Sequence, residues 1–245
     1  MAAPIVRRRP FREDAAATEC RPYNQFTVVK YLLLIIILGF NAAVAHGQRS
    51  SHFHVQTLDS RDAKYVLDLL ETNRSELLQR VSNARLDVRL PTLEIVFNST
   101  TGDFVARTGM PPWAAAATRK NKIELQPLTL LKQRRILETT LRHELAHAFI
   151  DVLGNGQTPR WLAEGMAIYL AGEGRRFTPT NSSSTTNIEQ ALASAKSADD
   201  MRAAYAAAYH LVLELIRREG ENKVWKRLAD RSYSVNIIVL PTLTS

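Results

Sequence analysis

The chain has 245 residues, of which 45% are hydrophobic and 23% are charged, and it contains a single Cys. This composition excludes a disordered or low-complexity chain, and one cysteine excludes an internal disulfide framework and a cysteine-rich zinc site. The formal net charge is +8. The basic residues are scattered rather than clustered with aromatic ones, so we expect no nucleic-acid partner.

Residues 1–45 combine a basic region with an apolar stretch. Six Lys and Arg residues precede position 31, and the small residues Ala43 and Ala45 follow the apolar run. This pattern is typical of a secretory signal peptide. An uncleaved membrane anchor is the alternative, because residues 26–45 number 20, enough to span a bilayer. In both cases the Arg-rich flank stays in the cytoplasm, and the rest of the chain is expected to be periplasmic or otherwise extracytoplasmic.

The first half of the remaining chain combines strands with one helix. Alternating or continuous apolar residues predict strands, and a helical period predicts a helix over residues 61–83. The predicted strands cover residues 52–58, 93–97 and 121–125.

From residue 131 onward the pattern is helical. One long helix is predicted to run to residue 153 and to end at Gly154-Asn155-Gly156. A second helix over 161–170 is expected to begin with Thr158 as its N-cap and Pro159 as its first residue. After a loop over 171–187, two or three more helices are predicted within 188–232. Strands followed by helices predict an α+β domain over residues 46–232, with 233–245 as a tail that lacks the helical pattern.

The long helix contains His143-Glu144-Leu145-Ala146-His147. Two histidines four positions apart lie one above the other on a helix face, where their imidazoles can share one metal ion. The intervening Glu144 lies beside that ion rather than on it, in the position of a general base.

A zinc ion with three protein ligands and one open position needs a third residue. Glu164 lies 17 positions after His147, on the next helix. It shares an apolar helix face with Trp161 and Ile168, where an unpaired carboxylate is costly, so a metal ligand is the favoured interpretation. Gly165 beside it is expected to let the two motif helices approach closely.

The pattern His143-Glu-x-x-His147 followed by Trp161-Leu-x-Glu164-Gly165-x-Ala167 resembles the gluzincins, the zinc peptidases of the thermolysin type. More narrowly, it resembles the bacterial peptidase MA-like family, to which the stretches 108–114 and 123–125 are also similar. The resemblance implies a zincin-like fold, with a small mixed or antiparallel sheet and an edge strand before the active-site helix. We expect residues 121–125 to be that edge strand and to border the substrate cleft.

The same resemblance implies a zinc-dependent hydrolysis of peptide bonds in a peptide or protein substrate. Zn²⁺ held by His143, His147 and Glu164 would activate a water molecule, and Glu144 would act as its general base. A Tyr or His from the C-terminal helices would stabilise the oxyanion, with Tyr205 as the first candidate and Tyr209 and His210 as others. Asp151 is a candidate to orient a ligating imidazole.

Two non-enzymatic alternatives remain at the level of sequence. The chain could be a catalytically inactive zinc-binding module of the same fold that serves in interactions, although such a module has no need of Glu144. It could also be a membrane-tethered structural protein in which the histidine motif is accidental. Metal content and cleavage of a protein substrate distinguish the three.

Overall fold

The computed structural model describes residues 47–56, 60–177 and 185–233. The predicted signal peptide or anchor, and all of the C-terminal tail except its first residue, lie outside these ranges. Within the described ranges, no helix has the length and apolarity needed to cross a bilayer.

The described residues form a mixed α+β domain, as predicted. Its strands are β1 (Gly47–Arg49), β2 (Phe53–Gln56), β3 (Leu93–Phe97), β4 (Ala116–Arg119) and β5 (Lys122–Leu125). Its α-helices are α1 (Ser60–Asn83), α2 (Thr101–Thr108), α3 (Leu128–Gln133), α4 (Leu137–Gly154), α5 (Arg160–Ala171), α6 (Thr185–Ser194), α7 (Ala198–Glu219) and α8 (Glu221–Asp230). A 3₁₀ turn, Glu173–Arg176, follows α5. The predicted strand at 93–97, the predicted helix at 61–83 and the predicted helices within 188–232 are confirmed.

The strands form one five-stranded mixed sheet in the order β1-β2-β3-β5-β4. The expectation that residues 121–125 form the edge strand is wrong, because β5 lies between β3, to which it is parallel, and β4, to which it is antiparallel. Ile123 and Leu125 are fully buried, as an interior strand requires. β1 and β4 are the two edge strands, and β4 is the one that contacts α4. Its Ala-rich sequence carries neither alternation nor β-branched residues before Thr118 and therefore gave no signal.

The helix predicted from 131 to 153 is two helices. α3 ends at Gln133 and α4 begins at Leu137, and between them Arg135 has a left-handed φ of 55°. The backbone N–H of Ile136 donates to the carbonyl of Leu131, which closes the turn. The sequence has no Gly or Pro at this break, so the apolar periodicity continues across it and predicted a single helix.

The start of α5 also differs from the expectation. Pro159, not Thr158, is the N-cap residue and has no capping side chain; the backbone N–H of Trp161 in the first turn donates instead to the carboxylate of Glu189 at 3.0 Å. The hydroxyl of Thr158 is buried and has no hydrogen-bond partner among the described residues. The cap role is lost because Pro159 already has the extended conformation of a capping residue.

Helix α4 lies at the centre of the domain and contacts α1, α5, α8 and β4. Its apolar side chains Leu141, Leu145 and Phe149 are fully buried in the main core. Gly165 does permit a close helix approach, but the partner is α7 rather than α4. A Cβ added at Gly165 would lie 2.4 Å from the carbonyl oxygen of Ala208.

Candidate metal centre

Two imidazoles of α4 face the same point. The Nε2 atoms of His143 and His147 are 3.1 Å apart, and the two rings meet edge to face. Their separation by four residues places them one helical turn apart on the same face, as the sequence predicted. Both side chains are largely buried, with 13% and 17% of their surface exposed.

Helix α5 brings Glu164 to the same point. Its Oε2 atom lies 3.6 Å from His143 Nε2 and 3.4 Å from His147 Nε2. The turn at Gly154–Gly156 folds α5 back against α4, which is why residues so far apart in the chain converge. Within residues 47–56, 60–177 and 185–233, this is the only cluster of three His, Cys, Asp or Glu close enough to hold one ion.

The three ligand atoms fit a zinc ion. Tetrahedral zinc with bonds of about 2.0–2.1 Å separates its ligand atoms by about 3.3 Å. The observed separations of 3.1, 3.4 and 3.6 Å bracket this value. In addition, Glu164 Oε2 is buried and has no hydrogen-bond partner among the described residues. A buried carboxylate oxygen without a donor is costly, and a cation at this point would remove the cost.

The charges of the cluster are strongly coupled. Burial alone would lower the pKa of His143, but its close contacts with Glu164 and Glu173 and the charge of Glu144 raise it to about 10. Burial likewise acts to raise the pKa of Glu164, and the two imidazoles outweigh it and hold that pKa far below the ordinary value. The carboxylate is therefore ionised and the His143 imidazole protonated, so a metal ion that bound here would have to displace the proton of His143.

A second carboxylate, which the sequence did not point to, supports His143. Glu173 Oε2 lies 3.0 Å from His143 Nδ1, the ring nitrogen that faces away from the cluster. Metal-binding histidines commonly donate this second N–H to a carboxylate, which fixes the ring orientation. Gly172 adopts a left-handed conformation at the end of α5 and turns the chain so that Glu173 points back. The sequence placed this residue in a loop, where spacing carries no information about direction.

Asp151, the predicted candidate to orient an imidazole, lies close enough to His147 for their charges to interact. Its side chain is exposed and makes no hydrogen bond to either imidazole in the described part of the chain. It follows His147 by four residues, so it shares the helix face but lies a full turn away. The carboxylate that orients a ring is Glu173 instead.

Glu144 lies beside the cluster and is not part of it. It is 8% exposed, and its Oε2 accepts a 2.6 Å hydrogen bond from the hydroxyl of Thr118 on β4. Strand β4 therefore positions Glu144, a contact that could not be foreseen while β4 itself went unrecognised. Glu144 and His143 both line one cleft of about 540 Å³.

Of the three candidate oxyanion donors, only Tyr205 lines this cleft. Its hydroxyl makes no hydrogen bond to any described residue, so the donor is available. Burial, followed by the negative charge of Glu164, raises the pKa of Tyr205, which keeps the hydroxyl protonated. Tyr209 instead packs on Phe177, with ring centres 6.1 Å apart, and His210 lies next to it.

Comparisons with protein-family models, curated proteins and solved structures found no match to this chain. What the site does is therefore inferred from its own geometry.

Proposed function

We propose that the protein is a zinc metallopeptidase of the gluzincin type with a zincin-like fold. The observation that carries the proposal is the triangle of His143 Nε2, His147 Nε2 and Glu164 Oε2, which has the dimensions of one face of a tetrahedral zinc site. Glu144 stands beside this triangle in an open cleft, which is where a general base for hydrolysis belongs.

The ligand set suits catalysis better than a structural role. Three protein ligands leave one position open, whereas structural zinc sites use four. Zinc bound here would supply a Lewis acid and would acidify a water molecule. The chain's own groups supply the rest: Glu144 accepts a proton and passes it to the leaving amine, and Tyr205 donates a hydrogen bond to the developing oxyanion.

Strand β4 supports the choice of a peptide substrate. Its Ala117–Thr118 segment pairs with β5 on one side only, so the backbone groups on the other side are unpaired within the described residues. Ala114, Ala115 and Ala116 line the cleft with their small side chains. An extended peptide can add to such an edge as a further strand and present its bond to Glu144.

The N-terminal residues suggest where this reaction takes place. We propose that residues 1–45 export the domain or, if they are not cleaved, anchor it to the membrane, so that it acts outside the cytoplasm. N-terminal sequencing of the mature protein after expression in a secreting host distinguishes cleavage from anchoring.

The substitution Glu144→Gln separates metal binding from catalysis. The amide is nearly isosteric and Glu144 is not a proposed ligand, so zinc content by elemental analysis should be unchanged. Cleavage of a denatured protein substrate should fall by about 10²–10⁴-fold, because the amide cannot accept a proton. As a control, His143→Ala should lose zinc and activity together.

Two results would contradict the proposal. Near-wild-type turnover by zinc-loaded Glu144→Gln would exclude the general-base role. Equal inactivity of the zinc-loaded wild type and Glu144→Gln on denatured protein would favour the non-catalytic zinc-binding module.

A further inference from the structure

The cleft beside Glu144 carries an excess of positive charge. Four arginines from four different segments line it, namely Arg134, Arg160, Arg176 and Arg202. The carboxylates that line the same cleft, Glu144 and Glu173, are already bonded to Thr118 and His143. The cleft therefore has cationic groups to offer and little free negative charge.

Two of the four arginines, Arg134 and Arg202, are available to a ligand, whereas Arg160 and Arg176 already have partners. Arg160 donates to the carbonyl of Leu192 and lies 3.7 Å from Glu164, and Arg176 lies 3.5 Å from Glu173. Arg202 has only a 3.5 Å ion pair with Asp199, in which both side chains are mostly exposed and which is therefore worth little.

The side chain of Arg134 makes no ion pair or hydrogen bond with the described residues. It follows α3, just before the left-handed Arg135 that starts the turn into α4. A guanidinium left unpaired beside a cleft is suited to binding a carboxylate through two parallel hydrogen bonds.

Apolar side chains line the same cleft next to these cations. They are Met110, Trp113, Phe177 and Met201. Trp113 is 42% exposed, although tryptophan side chains are on average largely buried. A ligand that carries an apolar group next to a carboxylate would cover Trp113 and pair the free arginines at once.

We propose that the cleft selects peptides with a carboxylate next to an apolar residue, bound by Arg134 and Arg202. This inference rests on the proposed peptidase function and specifies its substrate class. The carboxylate has two sources, an Asp or Glu side chain or the C-terminus of the peptide, and both offer the same group to a guanidinium.

Binding of labelled peptides tests the inference without requiring turnover. Three peptide sequences of equal length end in Phe followed by Glu, Gln or Lys, and each is made with an amidated and with a free C-terminus, which gives six peptides. Fluorescence anisotropy measures their binding to the Glu144→Gln protein supplied with Zn²⁺. We expect the amidated Glu peptide to bind about five- to tenfold more tightly than the amidated Gln peptide, and the Lys peptide to bind most weakly.

Variants of the arginines assign the effect. Arg134→Gln and Arg202→Gln, in the same background, should each lower the Glu-to-Gln affinity ratio, and the double variant should bring it close to one. Arg135→Gln is the matched control, because Arg135 is the next residue in the chain but lines a different surface. Added NaCl should reduce the ratio as well, since exposed charges are screened.

The outcomes separate this inference from the function it rests on. A gain in affinity of the free-acid Gln peptide over its amide identifies the C-terminus as the carboxylate that is bound. Equal binding of all Glu and Gln forms, or an unchanged ratio in the double variant, overturns the inference. If the wild-type protein binds zinc and cleaves all six peptides equally, the peptidase function stands and the proposed carboxylate preference is refuted. If the protein prefers the Glu peptide but neither binds zinc nor hydrolyses any peptide, the carboxylate site stands and the peptidase function is refuted.

Discussion

At the scale of single residues, the centre depends on carboxylates with different tasks. Glu164 points an unpartnered oxygen at the two imidazoles, whereas Glu173 contacts the far side of His143. Under the proposed function, the first would bind the zinc ion directly and the second would hold a ligating ring in its orientation. Among the described residues Asp151 makes no hydrogen bond to either ring and acts on His147 through its charge alone, so it serves as the reference position.

These positions predict an order of zinc affinities. Glu164→Ala should weaken binding most, because it removes a ligand, and Glu173→Ala should weaken it by about 10–100-fold, because it frees the His143 ring. Asp151→Ala should bind like the wild type. Competition with a chromogenic chelator measures all three. Equal affinity of the wild type and Glu164→Ala would refute the ligand assignment.

At the scale of elements, the contact between α5 and α7 determines where Glu164 stands. α5 makes its most extensive helix contact with α7, and Gly165, next to Glu164, lies at the closest point. A Cβ there would meet the backbone carbonyl of Ala208 at 2.4 Å and a methyl group of Val212 at 2.6 Å. Backbone cannot rotate away as a side chain can, so the helices would have to separate.

We therefore expect Gly165→Ala to destabilise the protein by about 1–3 kcal/mol, the usual cost of overpacking. Urea denaturation followed by circular dichroism measures the free energy of unfolding. Gly102→Ala, in helix α2, is the control, because the added Cβ would meet only the hydroxyl of Thr100, at 3.6 Å. That change should be neutral or slightly stabilising. Equal stability of both variants would show that the helices are not in close contact at Gly165.

At the scale of the whole molecule, Glu221 joins the two ends of the described domain. Its carboxylate accepts hydrogen bonds from Arg80 on α1 at 2.8 and 3.0 Å, from Tyr169 on α5 at 3.1 Å and from Trp225 on α8 at 3.0 Å. Three helices thus depend on one acidic side chain. Trp225 itself is fully buried in the core.

Glu221→Ala should lower the free energy of unfolding by about 1–3 kcal/mol, because it leaves the donors of Trp225 and Tyr169 without their acceptor, whereas the half-exposed Arg80 can turn to water. The control is Glu214→Ala, which removes only a local ion pair with the exposed Arg217 on α7 and should cost less than about 1 kcal/mol. Thermal unfolding in parallel compares them. A Glu221→Ala variant as stable as Glu214→Ala would mean that the three helices are held together by apolar packing alone.

The sequence predicted those parts of the site that depend on helical periodicity. His143 and His147 had to share a face, and the glycine-bounded turn after α4 made the return of Glu164 plausible. It could not predict Glu173, whose direction depends on the left-handed Gly172, or Thr118, which lies on an Ala-rich strand. The break at Arg135 was equally hidden, because arginine, unlike glycine or asparagine, gives no sequence signal of a left-handed conformation.

The open side of β4 has a consequence for solubility. A strand with unpaired backbone groups is a template for another copy of the same chain, and long apolar edges lead to aggregation. β4 is only four residues long, it ends in Arg119, and Pro111 and Pro112 precede it. Shortness, charge and proline are the features by which natural edge strands resist self-association. We expect β4 to become a site of oligomerisation if the strand is extended with β-branched residues or if the charge of Arg119 is removed.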